Sequence, residues 1–273
     1  MYAEMKKNYP TVSGLFGQWK NWRYRELLYF LVWRDLKIRY KETVLGVLWS
    51  VLQPILTMIV FTLFFGKLAK LPSDGVPYAV FCFIGLVPWF FVSNSIRQCS
   101  LSILGNAQLI RKVYFPRFLM PVSAMVSGLI DFSLTFVVLL IVFLIFGIVP
   151  KATILFLPYF ILLSIILTMG LGLWLSALNA QFRDVNYLLP FLTQLWFFAT
   201  PITFSSRLLS PKWQVVYALN PMVGIVEGFR WTLLQVNTPI VPITIVSSAV
   251  AILLLISGAW YFKKTERSFA DIV

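Results

Sequence analysis

Residues 34–54 read RDLKIRYKETVLGVLWSVLQP, and the chemistry of the chain reverses within them. Six charged side chains lie between Arg34 and Glu42, yet the 24 residues from 43 to 66 carry none. At about 1.5 Å per residue, an uncharged helix of that length covers the roughly 30 Å of a bilayer's hydrocarbon core. The charged half also has a helical pattern. Tyr29, Trp33, Leu36 and Tyr40 recur at spacings of four, three and four and share one face, while Arg34, Lys37 and Lys41 share another. Such a helix lies in a membrane interface. Two readings fit it: an anchor whose basic side chains snorkel, and an interface helix that also docks a cytoplasmic partner.

Composition carries the same message through the whole chain. Of 273 residues, 59% are apolar and 12% charged, and the mean hydropathy is +0.84. These values describe an integral membrane protein rather than a soluble domain. Some 40 mostly polar residues precede the first span, so a cleaved signal peptide is not expected. The net charge of +13 does not point to nucleic acid, because the basic residues alternate with apolar spans. Cys82 and Cys99 fall on one predicted helix, about 25 Å apart at 1.5 Å per residue, and cannot pair within it. The chain has no His, which excludes imidazole metal sites and His-based triads.

Counting apolar runs predicts an all-α protein with six transmembrane helices, at about 43–66, 75–104, 118–147, 152–178, 187–203 and 240–262. The termini then share one side. In the flanking segments that side holds 16 Lys and Arg residues against 6 opposite, so both termini are predicted to be cytoplasmic. The chain divides into a cytoplasmic segment (1–42), a transmembrane domain (43–262) and a cytoplasmic tail (263–273). Between the last two spans, residues 205–237 contain apolar arms too short to cross, broken at Asn220-Pro221. They read as short re-entrant or gate helices on the outer side. Backbone of that kind is tolerated at membrane depth only when it is buried in protein or lines a wet cavity.

Three constellations carry candidate chemistry. The loop GNAQLIRKVYFPR at 105–117 has room for a short helix, with Asn106 as its cap and Pro116 as its stop; it reads equally as a lever or as a basic anchor. Asp131 sits in the middle of the third span, where a carboxylate is costly, and an ion pair with Arg97 of the second span is the expected remedy; exposure to a polar pathway is the alternative. Aromatic residues make up 17% of the chain, and the clusters at Trp89-Phe90 and Trp196-Phe197 lie inside spans. Flat rings there either stack on the C–H faces of sugars or pack against lipid.

No GxxxxGK[ST] occurs, so any ATP must be bound elsewhere. A chain of intramembrane carboxylates is missing too, which weakens a proton-coupled transporter.

Taken together, RDLKIRYKETVLGVLWSVLQP, NAQLIRKVYFPR followed by LMPVSA, NAQFRDVN at 179–186 and LNPMVGIVEGFRW at 219–231 resemble the membrane subunit of type-2 ABC exporters. Within that group they resemble the polysaccharide-export permeases for lipid-linked O-antigen or teichoic acid. The resemblance covers nearly the whole chain. It implies a homodimer bound to two copies of an ABC ATP-binding subunit, with ATP and Mg held there and no cofactor in this chain. By similarity, Arg34, Lys37, Arg39 and Lys41 belong to the interface helix. Asn106, Gln108, Arg111, Lys112 and Tyr114 belong to a coupling helix at about 106–114, seated in the ATPase. Asn220, Pro221, Glu227 and Arg230 belong to the outer gate, with Glu227 and Arg230 one helical turn apart. Trp89, Phe90, Trp196 and Phe197 line a channel between protomers. The expected substrate is a lipid-linked polysaccharide, the expected location the cytoplasmic membrane among its lipids. A drug exporter of the same fold and a membrane-embedded glycolipid enzyme are the competing readings, and the second lacks convergent acidic residues.

Overall fold

Helix α3 (Tyr78–Ser102) is the post against which most of the protein packs: from Val80 to Val87 its apolar side chains expose no surface. A helix that is apolar all round belongs in the middle of a bundle. The computed structural model describes residues 22–41, 46–113, 115–149, 151–235 and 239–269. The start of the first span at Thr43, residues 1–21 of the N-terminal segment, Tyr114, residues 236–238 and residues 270–273 lie outside them.

Ahead of α3 come α1 (Trp22–Lys41) and α2 (Val47–Phe61), which continues as a wider π-helical turn over Thr62–Leu68. A helical turn at Leu104–Asn106 leads into the short α4 (Ala107–Lys112), then α5 (Leu119–Ile145). A second such turn, Ala152–Phe156, opens α6 (Leu157–Gln181). Four helices follow: α7 (Val185–Phe198), α8 (Pro211–Tyr217), α9 (Pro221–Leu234) and α10 (Ile240–Thr265). The described residues include no strand, so the protein is all-α.

Among the described residues, five helices are long and apolar enough to cross a bilayer, within 48–68, 78–102, 119–145, 152–181 and 240–265. The expected fifth span is the exception. Its helix, α7, has 14 residues and covers only about 21 Å at 1.5 Å per residue. Beyond Phe198 the chain leaves α-helical geometry, and Thr200, Ile202, Ser205 and Ser206 expose at most 1% of their surface. That burial is the condition under which irregular backbone is stable at membrane depth.

Helices α6 and α10 touch backbone to backbone. A Cβ on Gly258 would meet the carbonyl oxygen of Gly170 at 2.4 Å. Small residues permit this approach, which replaces a hydrophobic driving force that lipid does not supply. Trp174 stacks on Tyr261 beside it, with ring centroids 4.4 Å apart. The bundle is unevenly covered: α2 is barely buried, and Leu48, Trp49, Ile59 and Phe64 point outward.

Candidate functional site: a basic face, a buried ion-pair block and an exposed helix

Only the first part of the aromatic face of α1 points away from the bundle. Leu31 is buried, and Tyr24, Leu27 and Leu28 pack on the same cluster, which includes Phe118, Leu119, Met120 and Val122. Tyr29, Phe30 and Trp33 are more than half exposed, whereas Tyr40 turns in to the bundle. Lys37 and Lys41 are exposed. Arg34 donates to its neighbour Asp35 at 2.7 Å, and Asp35 accepts from the Ser123 hydroxyl at 3.1 Å. One turn on, the Arg39 guanidinium donates to Asp131 and to Gln98 Oε1, and the Tyr40 hydroxyl donates to the other oxygen of Asp131.

The expected Arg97–Asp131 pair is therefore wrong in its cation. The register of α3 against α5 explains why. Cys99 Sγ lies 3.1 Å from the Pro121 carbonyl and the Phe91 and Phe132 rings are in contact at 5.4 Å, so Asp131 is level with the turn around Phe91. Arg97 sits some six residues along α3 from that level and is exposed, so it is the next residue, Gln98, that meets Arg39 on the bundle side. Arg39, arriving from a different helix, is the cation within reach.

Helix α4 is anchored by apolar side chains. Ile110 is buried in a cluster with Leu31, Ile103 and Phe115, and Leu109 packs against it, leaving Gln108, Arg111 and Lys112 exposed. Asn106 holds the cap position without capping: its amide donates to the Ser102 carbonyl at 2.7 Å, which closes the end of α3 instead. A contact not foreseen from sequence braces this loop. The Arg117 backbone N–H donates to Glu266 Oε1 at 3.0 Å, the Arg117 guanidinium donates to the Glu266 carbonyl, and Phe269 is fully buried against Phe262. Burial pushes the Glu266 carboxyl above the usual range, opposed by the Arg117 N–H and the charges of Arg117 and Lys263. These partners are 149 residues apart, and nothing local in the sequence marks them.

Asn220, Pro221, Glu227 and Arg230 fall in one block at the start and middle of α9. Asn220 caps α9, accepting from the Met222 N–H at 3.1 Å and the Trp196 indole at 2.8 Å; its amide donates to the Ala199 carbonyl at 2.9 Å. Pro221 takes the first helical position, where its missing N–H costs nothing. Arg230 is fully buried. It donates to Glu227 Oε1 at 3.1 Å and to the Ile202 carbonyl at 2.8 Å, and lies 3.7 Å over the Phe81 ring of α3. One guanidinium thus joins α9, the irregular stretch after α7, and α3. Nearby, Asp74 accepts from Ser205 at 2.9 Å and pairs with Arg207 at 3.5 Å.

The four aromatics expected along a channel divide. Trp89 is buried and packs edge-on against Trp196 and Phe197, at 5.5 and 5.3 Å, while Phe90 is partly exposed. The fully outward rings of α7 are others: Tyr187, Phe191 and Phe198, in one apolar surface with Leu188, Leu192 and Leu195. The spacing of Tyr187, Phe191, Leu195 and Phe198 by four, four and three was the available signal. Behind α7 lies a cavity of about 770 Å³, walled by Leu171 and Leu175 of α6, Trp196 of α7, and Trp213 and Tyr217 of α8.

Residues 26–234 match the protein family described as the ABC-2 type transporter. The chain is 31% identical over 254 residues to the O-antigen export system permease protein RfbA of Myxococcus xanthus, covering 92% of this chain and 97% of that protein. It is 28% identical over 249 residues to an RfbA of the same description from Klebsiella pneumoniae, covering 91% and 95%. Against the polysialic acid transport protein KpsM of Escherichia coli it is 25% identical over 198 residues, covering 72% and 77%.

Proposed function

The chain belongs to the ABC-2 type transporter family, and from that premise we propose that it is the permease of an exporter for a lipid-linked polysaccharide of the O-antigen kind. Its similarity across 97% of an O-antigen export permease carries this reading. Two copies of the chain would assemble with two copies of an ABC ATP-binding subunit in the cytoplasmic membrane, both termini cytoplasmic. ATP and Mg belong to the partner, in keeping with the missing phosphate loop.

The mechanism follows from the size of the substrate. A polymer longer than the membrane is thick does not fit one pocket that opens alternately, so a continuous path with repeated short strokes is required. Nucleotide closure in the ATPase pushes α1 and α4, whose exposed basic residues face the cytoplasm, and these shift α3 and α5. The uncovered apolar face of α7 is the surface offered to a second protomer, and the path runs beside it. The block around Arg230 closes the outer end.

Deletion of the gene tests the reading. Loss of surface polysaccharide with accumulation of lipid-linked polymer inside the cell is expected; normal surface polymer would sink it. Unchanged polymer with altered drug sensitivity would favour the small-molecule exporter instead.

A further inference from the structure

The Asp131 carboxylate is held by two neighbouring side chains of one helix. Arg39 and Tyr40 reach it from the last turn of α1, and Arg39 also binds Gln98 of α3. The carboxylate itself stands on α5, twelve residues from the start of that helix, about 18 Å along its axis at 1.5 Å per residue. Asp35, one turn earlier on α1, accepts from Ser123 on α5. Helix α1 is therefore bonded at two levels to α5 and at one to α3, while α4 meets the bundle through apolar contacts, those of the buried Ile110 and the half-buried Leu109.

Beside the carboxylate is a small cavity of about 40 Å³ between α2, α3 and α5; Ser50, Gln53, Asn94, Ser95, Asp131 and Thr135 give it polar groups, and Phe90, Phe91 and Phe132 form apolar wall. Ser95 Oγ opens on it, is fully buried, and finds no hydrogen-bond partner among the described residues. The space exceeds the roughly 10–15 Å³ that one water molecule needs, and several polar groups surround it. A carboxylate released into hydrocarbon is costly. One released beside a hydrated cavity keeps a partner.

We propose that Arg39, Tyr40, Gln98 and Asp131 form a water-backed latch through which α1 drags α3 and α5 during the transport stroke. These side chains are positioning residues: they transmit displacement from the interface helix, in addition to the push delivered at α4. The cavity lets Asp131 change partners without passing through an unsolvated state, so the latch can reset after each stroke. The latch rests on the reading of the chain as an ATP-driven permease.

The test uses the full complex with its ATP-binding subunit, in a strain lacking the native gene and in nanodiscs. Asp131→Asn is expected to assemble and to support ATP hydrolysis within about twofold of wild type, while surface polymer falls by about tenfold or more, a size typical of coupling between sites. The exchange of charges, Arg39→Asp with Asp131→Arg, should restore at least about a third of export. Wild-type export by Asp131→Asn would overturn the latch, as would a parallel loss of hydrolysis and export, or an exchange that fails to rescue. A second measurement does not depend on the substrate. Spin labels at Ile38→Cys and Ser133→Cys, both exposed positions, should keep a constant separation when a non-hydrolysable ATP analogue binds the wild type, and change it in Asp131→Asn. A nucleotide-dependent change already present in the wild type would refute the latch even if the polymer reading holds; a constant separation with normal surface polymer after gene deletion would leave the latch standing and remove the polysaccharide.

Discussion

The Arg230 guanidinium donates to Glu227 Oε1 at 3.1 Å across one turn of α9, and the two side chains are 0% and 1% exposed. Arg230 is held further by the Ile202 carbonyl and the Phe81 face, whereas Glu227 Oε2 finds no hydrogen-bond partner among the described residues. Removing one leaves the other uncompensated. Arg230→Ala is therefore expected to destabilise the protein by about 3–5 kcal/mol, the usual penalty for breaking a buried pair. Glu227→Gln also strips the buried guanidinium of its counter-charge but keeps an acceptor for it, so it should cost less than Arg230→Ala while still destabilising. Thermal unfolding of the purified variants in nanodiscs measures both, and equal losses would mean that Glu227 has a role apart from Arg230.

Helix α4 exposes Arg111 and Lys112 while Ile110 holds it to the bundle. Reversing both charges, Arg111→Glu with Lys112→Glu, should leave the fold intact and lower export by about tenfold, within the range of coupling energies between sites. ATP hydrolysis by the assembled complex should persist. Export at wild-type level would reduce this loop to a membrane anchor.

The spans were legible because a bilayer imposes a length on apolar runs, and that length can be counted along one chain. Helix α7 escaped the count for a related reason: Tyr187 to Thr203 is apolar enough throughout, but hydropathy does not register that the helix stops at Phe198 and that the stretch beyond is buried by Arg230 and its neighbours. The Asp131 partner was missed because depth in a span says nothing about the register between helices. Arg39 and Asp131 are 92 residues apart, and only packing of α1 along α5 brings them together. The Glu227–Arg230 pair, by contrast, lies within one helical turn and was readable from spacing alone.

Glu266 offers a pH-dependent check on the brace between the end of α10 and the loop that follows α4. Burial raises its carboxyl above the ordinary value despite the Arg117 N–H, so the folded state holds that proton more tightly than the unfolded chain. Its contribution to stability is full below the unfolded value and is lost as pH rises through the folded one. Glu266→Gln escapes this loss. The melting temperature of the variant relative to wild type should increase as pH is raised from the carboxylate range to neutrality. A difference that is flat with pH would show that Glu266 titrates normally.

The contact between α6 and α10 leaves no room for a methyl group, since a Cβ on Gly258 falls 2.4 Å from the Gly170 carbonyl. Backbone, unlike a side chain, cannot turn aside. Gly258→Ala should force the helices apart at a cost of about 1–3 kcal/mol, the range for overpacking. It should also disturb the Trp174–Tyr261 stack, so that tryptophan fluorescence changes along with the lowered melting temperature. Unchanged values of both would mean that the helices separate without penalty.

Aromatic residues on two sides of α7 should behave in opposite ways. Trp89 is buried and in contact with Trp196 and Phe197, so Trp89→Ala should lower stability by about 3–5 kcal/mol as other buried aromatic truncations do. Tyr187, Phe191 and Phe198 expose more than half of their surface and contribute little to the protomer's own core. Replacing all three with Ala should leave the melting temperature of the monomeric fraction nearly unchanged. If α7 is the face offered to a second protomer and to the polymer, the same triple variant should weaken dimer formation in size-exclusion chromatography with light scattering and reduce surface polysaccharide. Retained dimers with normal polymer would place both the contact and the path on another face, with the barely buried α2 as the next candidate.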